Sequence, residues 1–350
     1  MNDISNVDKN FKIETNLNKK DIKFYDVRKA PFKIYGVFYH DGMFRRLPEE
    51  IAKATNSGVH ALHSHTAGGR VRFKTNSSYV AIYVKMPAIG KMPHFALTGS
   101  AGFDIYETVG EESRYVKSFV PPFNITEGYE SVIDFENESL RQITINFPLY
   151  SSVSEFYIGV SDKSLLLEAD PYSVEVPFVY YGSSITQGGC ASRPGNSYQS
   201  KISRVFNADY VNLGFSGSAR GEDAIADYIA SLDMSMFFLD YDHNAPDVEH
   251  LKNTHEKLFL KVRKNHPSIP IIIMSRPKFY LNDEEKQRLE IIKSTFENAK
   301  SRGDQNVYLL DGKALMQMAG NEGTVDNCHP NDLGFASMSE ALINLLKTIL

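Results

Sequence analysis

The first half of the chain places apolar residues at every second position. In the stretch VRFK (71–74) two apolar residues alternate with two basic ones, and a similar alternation recurs at 80–84 and 143–147. A period of two is typical of antiparallel strands with one buried face. Because these runs are short and separated by Gly, Pro, Asn and Ser, we predict a β-sandwich over 21–168. One short helix is predicted near Pro48–Thr55.

The pattern changes after residue 169. Continuous apolar runs occur at 178–181, 210–215, 236–241, 271–274 and 307–310. Apolar residues at helical spacing occur between or after them, at 225–232, 251–262 and 335–349. Strands that are apolar on both faces and alternate with helices predict a parallel sheet covered by helices. Five strands favour the flavodoxin-like order 2-1-3-4-5, in which the loops after strands one, two, three and five meet at one edge.

A chain of 350 residues is long for one hydrophobic core. We therefore predict an N-terminal tail (1–20), an all-β domain (21–168) and a three-layer α/β domain (169–350). The stretch Asp170-Pro171-Tyr172 is the predicted hinge between the two domains.

Composition excludes several function classes. The net charge of −5 and the pI near 6.1 give no basic field for nucleic acid, so we expect no nucleic-acid partner. No apolar run approaches membrane-spanning length, and the N-terminus lacks the pattern of a secretory signal. We therefore expect no membrane partner and a cytoplasmic location, with a small-molecule or carbohydrate substrate. The sequence leaves oligomerisation open.

Cysteine and histidine usage gives no metal site. The two cysteines, Cys190 and Cys328, are not in CxxC or zinc-ligand spacing, so we expect no metal and no cofactor. They are interpreted as semi-buried thiols, with a redox-sensitive pair as the alternative. His63 and His65 could share one face and bind a metal, but no third ligand stands at a suitable spacing. Alternatively, the loop 65–70 lies near the domain interface and contacts substrate.

Polar segments follow four of the five predicted strands. They read GSSITQG (182–188), NLGFSG (212–217), DHN (242–244) and DNCH (326–329). The carboxyl ends of parallel strands meet at one edge of a sheet, so these segments are expected to come together there. A serine, a histidine and a carboxylate at one edge are the groups of a nucleophilic triad.

Each residue then has a predicted role. Ser184 is the nucleophile, His329 is the general base, and Asp326 fixes the tautomer of the imidazole. The backbone N–H groups of Ser184 and Gly217 and the side-chain amide of Asn244 are the predicted oxyanion donors.

Taken singly, each of these residues also has a structural interpretation. Ser184 and Gly217 could be ordinary turn residues, Asn244 a helix N-cap, Asp326 a loop cap and His329 a packed imidazole. The complete set, in one order and at the ends of successive strands, favours catalysis.

Two further polar residues are candidates for substrate binding. Arg193 either binds a substrate carboxylate or hydroxyl, or pairs with Asp240 or Asp242. Asp242 is a second candidate, although its position beside Asn244 also suits it, with Asp240, to orienting that loop.

The four segments resemble the sequence blocks of SGNH (GDSL-type) hydrolases, and the match assigns Ser184, Gly217, Asn244 and His329 to the four letters. Ser183 stands where the family usually has aspartate. The fuller strings at 182–195 and 240–246 resemble one branch of the family, whose members carry an N-terminal β-domain with a GxDLY signature. The sequence GFDIY (102–106) is similar to it, with Ile in place of Leu.

This resemblance implies an α/β SGNH domain behind a jelly-roll-like β-sandwich, and ester hydrolysis through a Ser-His-Asp triad and an acyl-enzyme. The expected reaction is removal of a short acyl group, such as acetyl, from a carbohydrate or a small hydroxylated metabolite. The alternatives are an acyltransferase that passes the acyl group to an alcohol, and a non-catalytic carbohydrate-binding protein.

Overall fold

The computed structural model describes residues 17–110 and 112–350. Residues 1–16, most of the predicted tail, lie outside the described residues. The first half of the chain consists mainly of strands, which we number in chain order: β1 Ile22–Asp26, β2 Lys33–Tyr35, β3 Phe38–His40, β4 Met43–Arg45, β5 Arg70–Thr75, β6 Tyr79–Lys85, β7 Phe103–Val109, β8 Glu112–Phe119, β9 Gly128–Asp134, β10 Arg141–Asn146, β11 Glu155–Ser161 and β12 Leu166–Leu167.

These strands form the predicted antiparallel β-sandwich. One sheet has the order β1-β11-β6-β9, the other has β12-β5-β10-β7-β8 with β2 beside β5, and β3 and β4 form a separate hairpin. The sequence alternation decides which face is buried. Val71 and Phe73 of β5 are fully buried in the core between the sheets. Because side chains alternate along a strand, Arg72 and Lys74 lie on the opposite, polar face of the six-stranded sheet.

Short helices connect some of these strands. Helix Glu49–Thr55 corresponds to the predicted one. Helices Ser57–Leu62 and Leu97–Ser100 have no counterpart in the sequence predictions, since each is too short to show a helical period.

Five parallel strands follow: β13 Val174–Gly182, β14 Ala208–Gly214, β15 Met236–Asp240, β16 Ile271–Met274 and β17 Val307–Leu310. Their order is β14-β13-β15-β16-β17, which is the predicted order 2-1-3-4-5. Gly182 of β13 pairs with Gly214 of β14 and with Asp240 of β15, so the carboxyl ends of these three strands lie at the same level. The predicted fold class is confirmed.

Helices cover both faces of this sheet, as expected from strands that are apolar on both sides. Val179 and Tyr181 of β13 belong to one core, and Phe178 and Tyr180 belong to the other. The longer helices are Tyr198–Phe206, Asp223–Ser231, Val248–Asn265, Asp283–Ser301 and Asp332–Ile349.

The first and fourth of these helices are missing from the sequence predictions because polar side chains occupy most of their buried positions. Gln199, Ser200 and Ser203 are buried in the first, and Glu285, Arg288 and Thr295 in the fourth. Across 17–110 and 112–350, none of the helices combines the length and the apolar character required to cross a membrane.

The sandwich packs against the α/β half through the polar face of its six-stranded sheet. Arg70 of β5 forms an ion pair with Asp209 of β14, and Asp104 of β7 forms one with Arg193. Arg193 belongs to the segment that follows β13. The first half of the chain therefore contacts the loops at the carboxyl edge of the parallel sheet. The exact domain boundary at 168/169 stays a prediction.

Candidate active site

Strand β13 ends in a tight turn that lifts Ser184 above the sheet. A Cβ at Gly182 would lie 2.1 Å from Thr186 Oγ1 and 2.2 Å from the Asp240 carbonyl oxygen, so the turn requires glycine there. Helix Ser184–Gln187 begins directly after Ser183, whose hydroxyl accepts the N–H of Ile185 at 3.1 Å. Ser183 thus provides the N-cap that an aspartate could also provide. As the first helical residue, Ser184 has no helical partner for its own N–H.

The structure brings Ser184, His329 and Asp326 into one chain of hydrogen bonds. The Ser184 hydroxyl donates to His329 Nε2 over 2.9 Å, and His329 Nδ1 donates to Asp326 Oδ2 over 2.7 Å. Ser184 is only 5% exposed, although its hydroxyl lies at the end of the parallel sheet. With Nδ1 as the donor, Nε2 can accept a proton from the serine. This arrangement can generate a nucleophilic serine oxygen.

The carboxylate of Asp326 is kept ionised by its own loop. Burial raises the pKa of Asp326, but hydrogen bonds from the backbone and ring of His329 and from the backbone of Cys328 outweigh this effect. The net result is a pKa below the ordinary value. The backbone N–H groups of Cys328 and His329 donate to Asp326 Oδ1 at 3.0 and 2.7 Å. Asp326 therefore both caps this loop and orients the imidazole.

The loop after β14 lies beside the nucleophile turn. Gly217 has φ +65°, a left-handed backbone conformation that favours glycine. A Cβ there would meet no atom within 4 Å, so the backbone conformation and not lack of space favours glycine at this position. The N–H of Ser216 donates to Gln187 Oε1 at 3.0 Å, which joins this loop to the helix of Ser184. Asn244 Nδ2 donates to the Phe215 carbonyl at 3.0 Å. The three predicted oxyanion donors are thus tied to one another.

The alternative role of Asn244 as a helix N-cap is wrong. Helix Val248–Asn265 is capped by Asp247, whose carboxylate accepts the N–H of His250 at 2.7 Å.

The Asp242 carboxylate is buried and bound by groups of the protein itself. Its side chain is 3% exposed, and Oδ1 accepts the backbone and ring N–H groups of His243 while Oδ2 accepts the N–H of Arg276. Burial raises the pKa of Asp242, but the contacts with His243 outweigh this and lower it overall. These contacts favour the alternative role, in which Asp242 orients the loop that carries Asn244.

Asp240, at the end of β15, accepts two hydrogen bonds from the turn that carries Ser184. It is fully buried, its backbone oxygen accepts the N–H of Ser183, and its Oδ2 accepts the hydroxyl of Thr186 at 3.1 Å. Burial raises the pKa of Asp240 to about 6.

Arg193 also requires a correction, because it pairs with neither Asp240 nor Asp242. Its guanidinium donates to Asp104 Oδ2 at 3.0 Å and to the Tyr106 hydroxyl, and it stacks on the Tyr115 ring at 3.8 Å. With these partners, Arg193 is a contact between the two halves of the chain rather than a free group for substrate.

The GxDLY-like segment holds the loop that follows the nucleophile. Asp104 is fully buried, and besides Arg193 it accepts the N–H of Gly195 at 2.8 Å and the amide of Asn146 at 2.7 Å. A buried carboxylate with three donors is well satisfied. The GxDLY-like motif is visible in the sequence. The contact between Asp104 and Arg193 is not, because the two residues are far apart along the chain.

Sequence reasoning missed a histidine of the first half at the rim of the site. The ring centroid of His94 is 5.9 Å from that of His329, and His94 Nε2 is 4.0 Å from Asp326 Oδ2. It stands outside any periodic pattern, so no signal in the sequence marks it.

Two other residues of the first half, Tyr150 and His65, contact the helix that begins at Ser184. The Tyr150 hydroxyl donates to the Ser184 carbonyl at 3.1 Å. Gln187 Nε2 donates to His65 Nδ1 at 3.3 Å, and burial lowers the pKa of His65 to about 3, so its imidazole is neutral. The loop 65–70 does lie at the domain interface.

Arg46 fixes the end of β14. It is 2% exposed and donates to the carbonyls of Asn212 at 3.1 Å and Gly214 at 2.6 Å, and also to those of Leu62 and His65. Burial lowers the pKa of Arg46 to about 9. Four carbonyl contacts let a buried guanidinium hold the strand end from which the Gly217 loop departs.

Within the described residues, two groups have side chains close enough to hold a metal ion: His94 with Cys190 and His329, and Asp240 with Asp242 and His243. The pair His63 and His65 is in neither group, and His63 Nε2 accepts from Arg45 at 2.7 Å. Both ring nitrogens of His329 are already used by Ser184 and Asp326. A metal at the first group would therefore displace the hydrogen-bond chain.

Both cysteines are free thiols. Burial raises the pKa of Cys190 to about 12 and also raises that of Cys328, so neither is an activated nucleophile.

Two family models match this sequence. The GDSL-like Lipase/Acylhydrolase family model covers residues 175–347, and the GxDLY model, the N-terminus of Esterase_SGNH_hydro-type, covers residues 22–166. No curated protein gives a significant match.

Several solved structures are similar over nearly the whole chain. A GDSL-like lipase from Bacteroides ovatus has 25% identity and a TM-score of 0.84, with 94% of this chain and 98% of that chain covered. A salicylyl-acyltransferase from a tetracycline biosynthetic pathway has 18% identity, a TM-score of 0.76 and coverage of 95% and 98%. An acetyl xylan esterase from Butyrivibrio proteoclasticus has 12% identity, a TM-score of 0.61 and coverage of 94% and 98%.

Proposed function

Because the chain belongs to the GDSL-like lipase/acylhydrolase (SGNH) family, we propose that it is a serine esterase that removes a short acyl group from a carbohydrate or a small hydroxylated metabolite. The hydrogen-bond chain from Ser184 through His329 to Asp326 carries this proposal. Each of its three members has the partner that its role requires.

The reaction follows from that geometry. Ser184 Oγ attacks the ester carbonyl while its proton passes to His329 Nε2, and Asp326 stabilises the imidazolium. The N–H groups of Ser184 and Gly217 and the Asn244 amide stabilise the oxyanion. An amide nitrogen has two N–H donors, so Asn244 can hold the Phe215 carbonyl with one and the oxyanion with the other. His329 then protonates the leaving alcohol. Water attacks the acyl-enzyme with His329 as base, the bond from the acyl carbon to Ser184 Oγ breaks, and His329 returns the proton to Ser184 as the acid leaves.

Two observations support the proposed substrate class. The structural neighbours include enzymes described as an acetyl xylan esterase and as a family two carbohydrate esterase, and they share the sandwich in front of the α/β domain. The rim of the site carries the partly exposed His94, which suits a hydroxylated leaving group better than a lipid.

A panel of esters tests the reaction and the acyl group together. We expect kcat/KM for acetyl esters, including acetylated sugars, to exceed that for octanoyl esters by about tenfold or more, because acyl selection depends on pocket length. A serine-reactive phosphonate should abolish every activity in the panel. A preference for long acyl chains would contradict the short-chain proposal, and phosphonate-resistant hydrolysis would contradict the serine mechanism.

Acyl transfer is the second candidate, since one structural neighbour is described as an acyltransferase. The acyl-enzyme would be the same, but an alcohol would replace water. Adding a polyol acceptor to the ester assay and weighing the products by mass spectrometry separates the two. Hydrolysis predicts free acid throughout, whereas transfer predicts an acylated acceptor in proportion to its concentration.

Asn244→Ala is expected to lower kcat by about 10²–10³-fold with little change in KM, because an oxyanion donor acts mainly in the transition state. Steady-state kinetics on the best ester measures both constants. Asn253→Ala, an exposed asparagine of helix Val248–Asn265, is the matched control and should be silent. An increase in KM at constant kcat would make Asn244 a substrate-binding residue instead.

Prolonged treatment with EDTA is expected to leave kcat/KM unchanged. The proton of Ser184 has its acceptor in His329, so no step requires a metal-bound water. The measurement compares rates before and after chelation, with and without added Zn²⁺. Activity that is lost on chelation and restored by zinc would overturn the triad mechanism.

A further inference from the structure

The polar face of the six-stranded sheet forms one wall of a cavity between the two halves of the chain. The registers of β5, β10 and β7 place Arg72, Thr144 and Tyr106 side by side on this face. Their neighbours in sequence, such as Val71 and Ile145, are buried in the sandwich core. The sequence alternation thus turns a row of polar side chains towards the α/β half.

The cavity has a volume of about 420 Å³. Its other walls come from helix Tyr198–Phe206, the start of β14 and the segment 170–173. Its size is within the range of about 300–1,000 Å³ of ligand pockets. The cavity is separate from the proposed catalytic site, because Tyr210 near the start of β14 lines it while Ser184 and Gly217 lie beyond the opposite end of the sheet.

Arg72 stands out among the wall residues. It is 3% exposed, and within 17–110 and 112–350 neither its Nε nor its Nη1 has a hydrogen-bond partner. Its guanidinium stacks on the ring of Tyr172 at 4.0 Å, which holds the group in place but satisfies none of its N–H donors. Buried guanidinium nitrogens without an acceptor are unfavourable, and such atoms call for an explanation.

The neighbouring arginines are already satisfied. Arg70 pairs with Asp209 and donates to the Tyr172 hydroxyl at 3.1 Å, and Arg204 donates to the Gly195 carbonyl at 2.7 Å. Arg204 adds positive charge to the lining, whereas the charge of Arg70 is compensated by Asp209. The carboxylate in the lining, Asp170, pairs with Lys74 at 2.6 Å. The lining therefore carries three arginines and the acid Asp170, with Asp209 paired to Arg70 beside it.

We propose that this cavity binds an oxyanion group, phosphate or carboxylate, of a small polar molecule through the Arg72 guanidinium. Planar guanidinium groups bind both oxyanions through paired N–H donors. The hydroxyls of Thr108, Ser113 and Thr144 in the lining suit the polar remainder of such a molecule. The site is independent of the proposed esterase activity, since none of the catalytic candidates lines it.

Isothermal titration calorimetry of the full chain tests the site, with inorganic phosphate in one arm and succinate in the other, at ionic strength held constant with NaCl. We expect saturable binding of one equivalent of at least one probe with Kd of about 1 mM or tighter. The arm with the lower Kd identifies the oxyanion. Arg72→Gln should weaken that binding by about tenfold or more, because it removes the charge that faces the ligand.

The matched control is Arg114→Gln, an exposed arginine of the same sheet outside the cavity, and it should change Kd by less than about twofold. If Arg72→Gln lacks a cooperative melting transition, Arg204→Gln replaces it and should also weaken binding. Failure of the wild-type protein to bind either probe saturably would overturn the proposal. An unchanged affinity in a folded Arg72→Gln or, failing that variant, in Arg204→Gln would overturn it as well.

Discussion

Ser184→Ala is expected to lower kcat by about 10⁴–10⁶-fold while the protein stays folded. The serine oxygen is the group that would form the covalent bond, so no neighbouring side chain can replace it. Its hydroxyl contacts His329 and contributes nothing to the core, so the free energy of unfolding should change by less than about 1 kcal/mol. Initial rates on the best ester and a thermal melt measure the two effects.

Covalent labelling separates Ser184 from its serine neighbours. A fluorophosphonate should modify Ser184 alone, and peptide mass spectrometry identifies the site. Ser183→Ala should lose the N-cap of the turn, a change worth about 1 kcal/mol, yet should still be labelled. Ser216→Ala should be labelled too. Modification of Ser183 or Ser216, together with an active Ser184→Ala variant, would move the nucleophile elsewhere.

Much of the fold follows from two hydrophobic patterns in the sequence, the alternation in the first half and the continuous apolar runs in the second. The alternation of β5 shows which side chains enter the sandwich core, and the apolar runs show which strands are buried on both faces. The order β14-β13-β15-β16-β17 agrees with the prediction, which was the order that brings the polar loops after strands one, two, three and five to one edge of the sheet. Helices Tyr198–Phe206 and Asp283–Ser301 escaped prediction because their buried faces carry polar groups such as Gln199 and Arg288 that hydrogen-bond inside the protein.

The candidate triad was predictable because Ser184 directly follows β13, and Asp326 and His329 lie together in one short polar segment just before helix Asp332–Ile349. Contacts between the halves were not, because they join residues distant in sequence. Arg193 pairs with Asp104 of the first half, whereas Asp240 and Asp242 of its own half accept from Thr186, His243 and Arg276. Which carboxylate pairs with Arg193 depends on the packing of the two halves, and the sequence alone does not show that packing.

His329→Ala is expected to lower kcat by about 10⁴–10⁶-fold, close to the loss in Ser184→Ala, because the two residues act as a unit. Their double variant should be hardly worse than either single one. His40→Ala, an exposed histidine of β3, is the matched control and should retain full activity. Additive losses in the double variant would show that His329 does not act on Ser184.

The pH profile identifies what Asp326 contributes. A protonated His329 cannot accept the Ser184 proton, so kcat/KM should fall towards acid pH. The lowered pKa of Asp326 keeps its carboxylate charged across this range, and that charge favours the imidazolium. Asp326→Asn removes the charge, so the imidazolium forms only at lower pH and the acid limb should move to lower pH.

In Asp326→Asn the rate at the plateau should also fall, by about 10–10³-fold. If Asp326 only caps its loop through the N–H groups of Cys328 and His329, asparagine can still accept those bonds, and neither the plateau nor the acid limb should change. A shifted acid limb therefore distinguishes electrostatic support of His329 from a structural role. A pH-independent rate in the wild-type protein would remove His329 from the mechanism altogether.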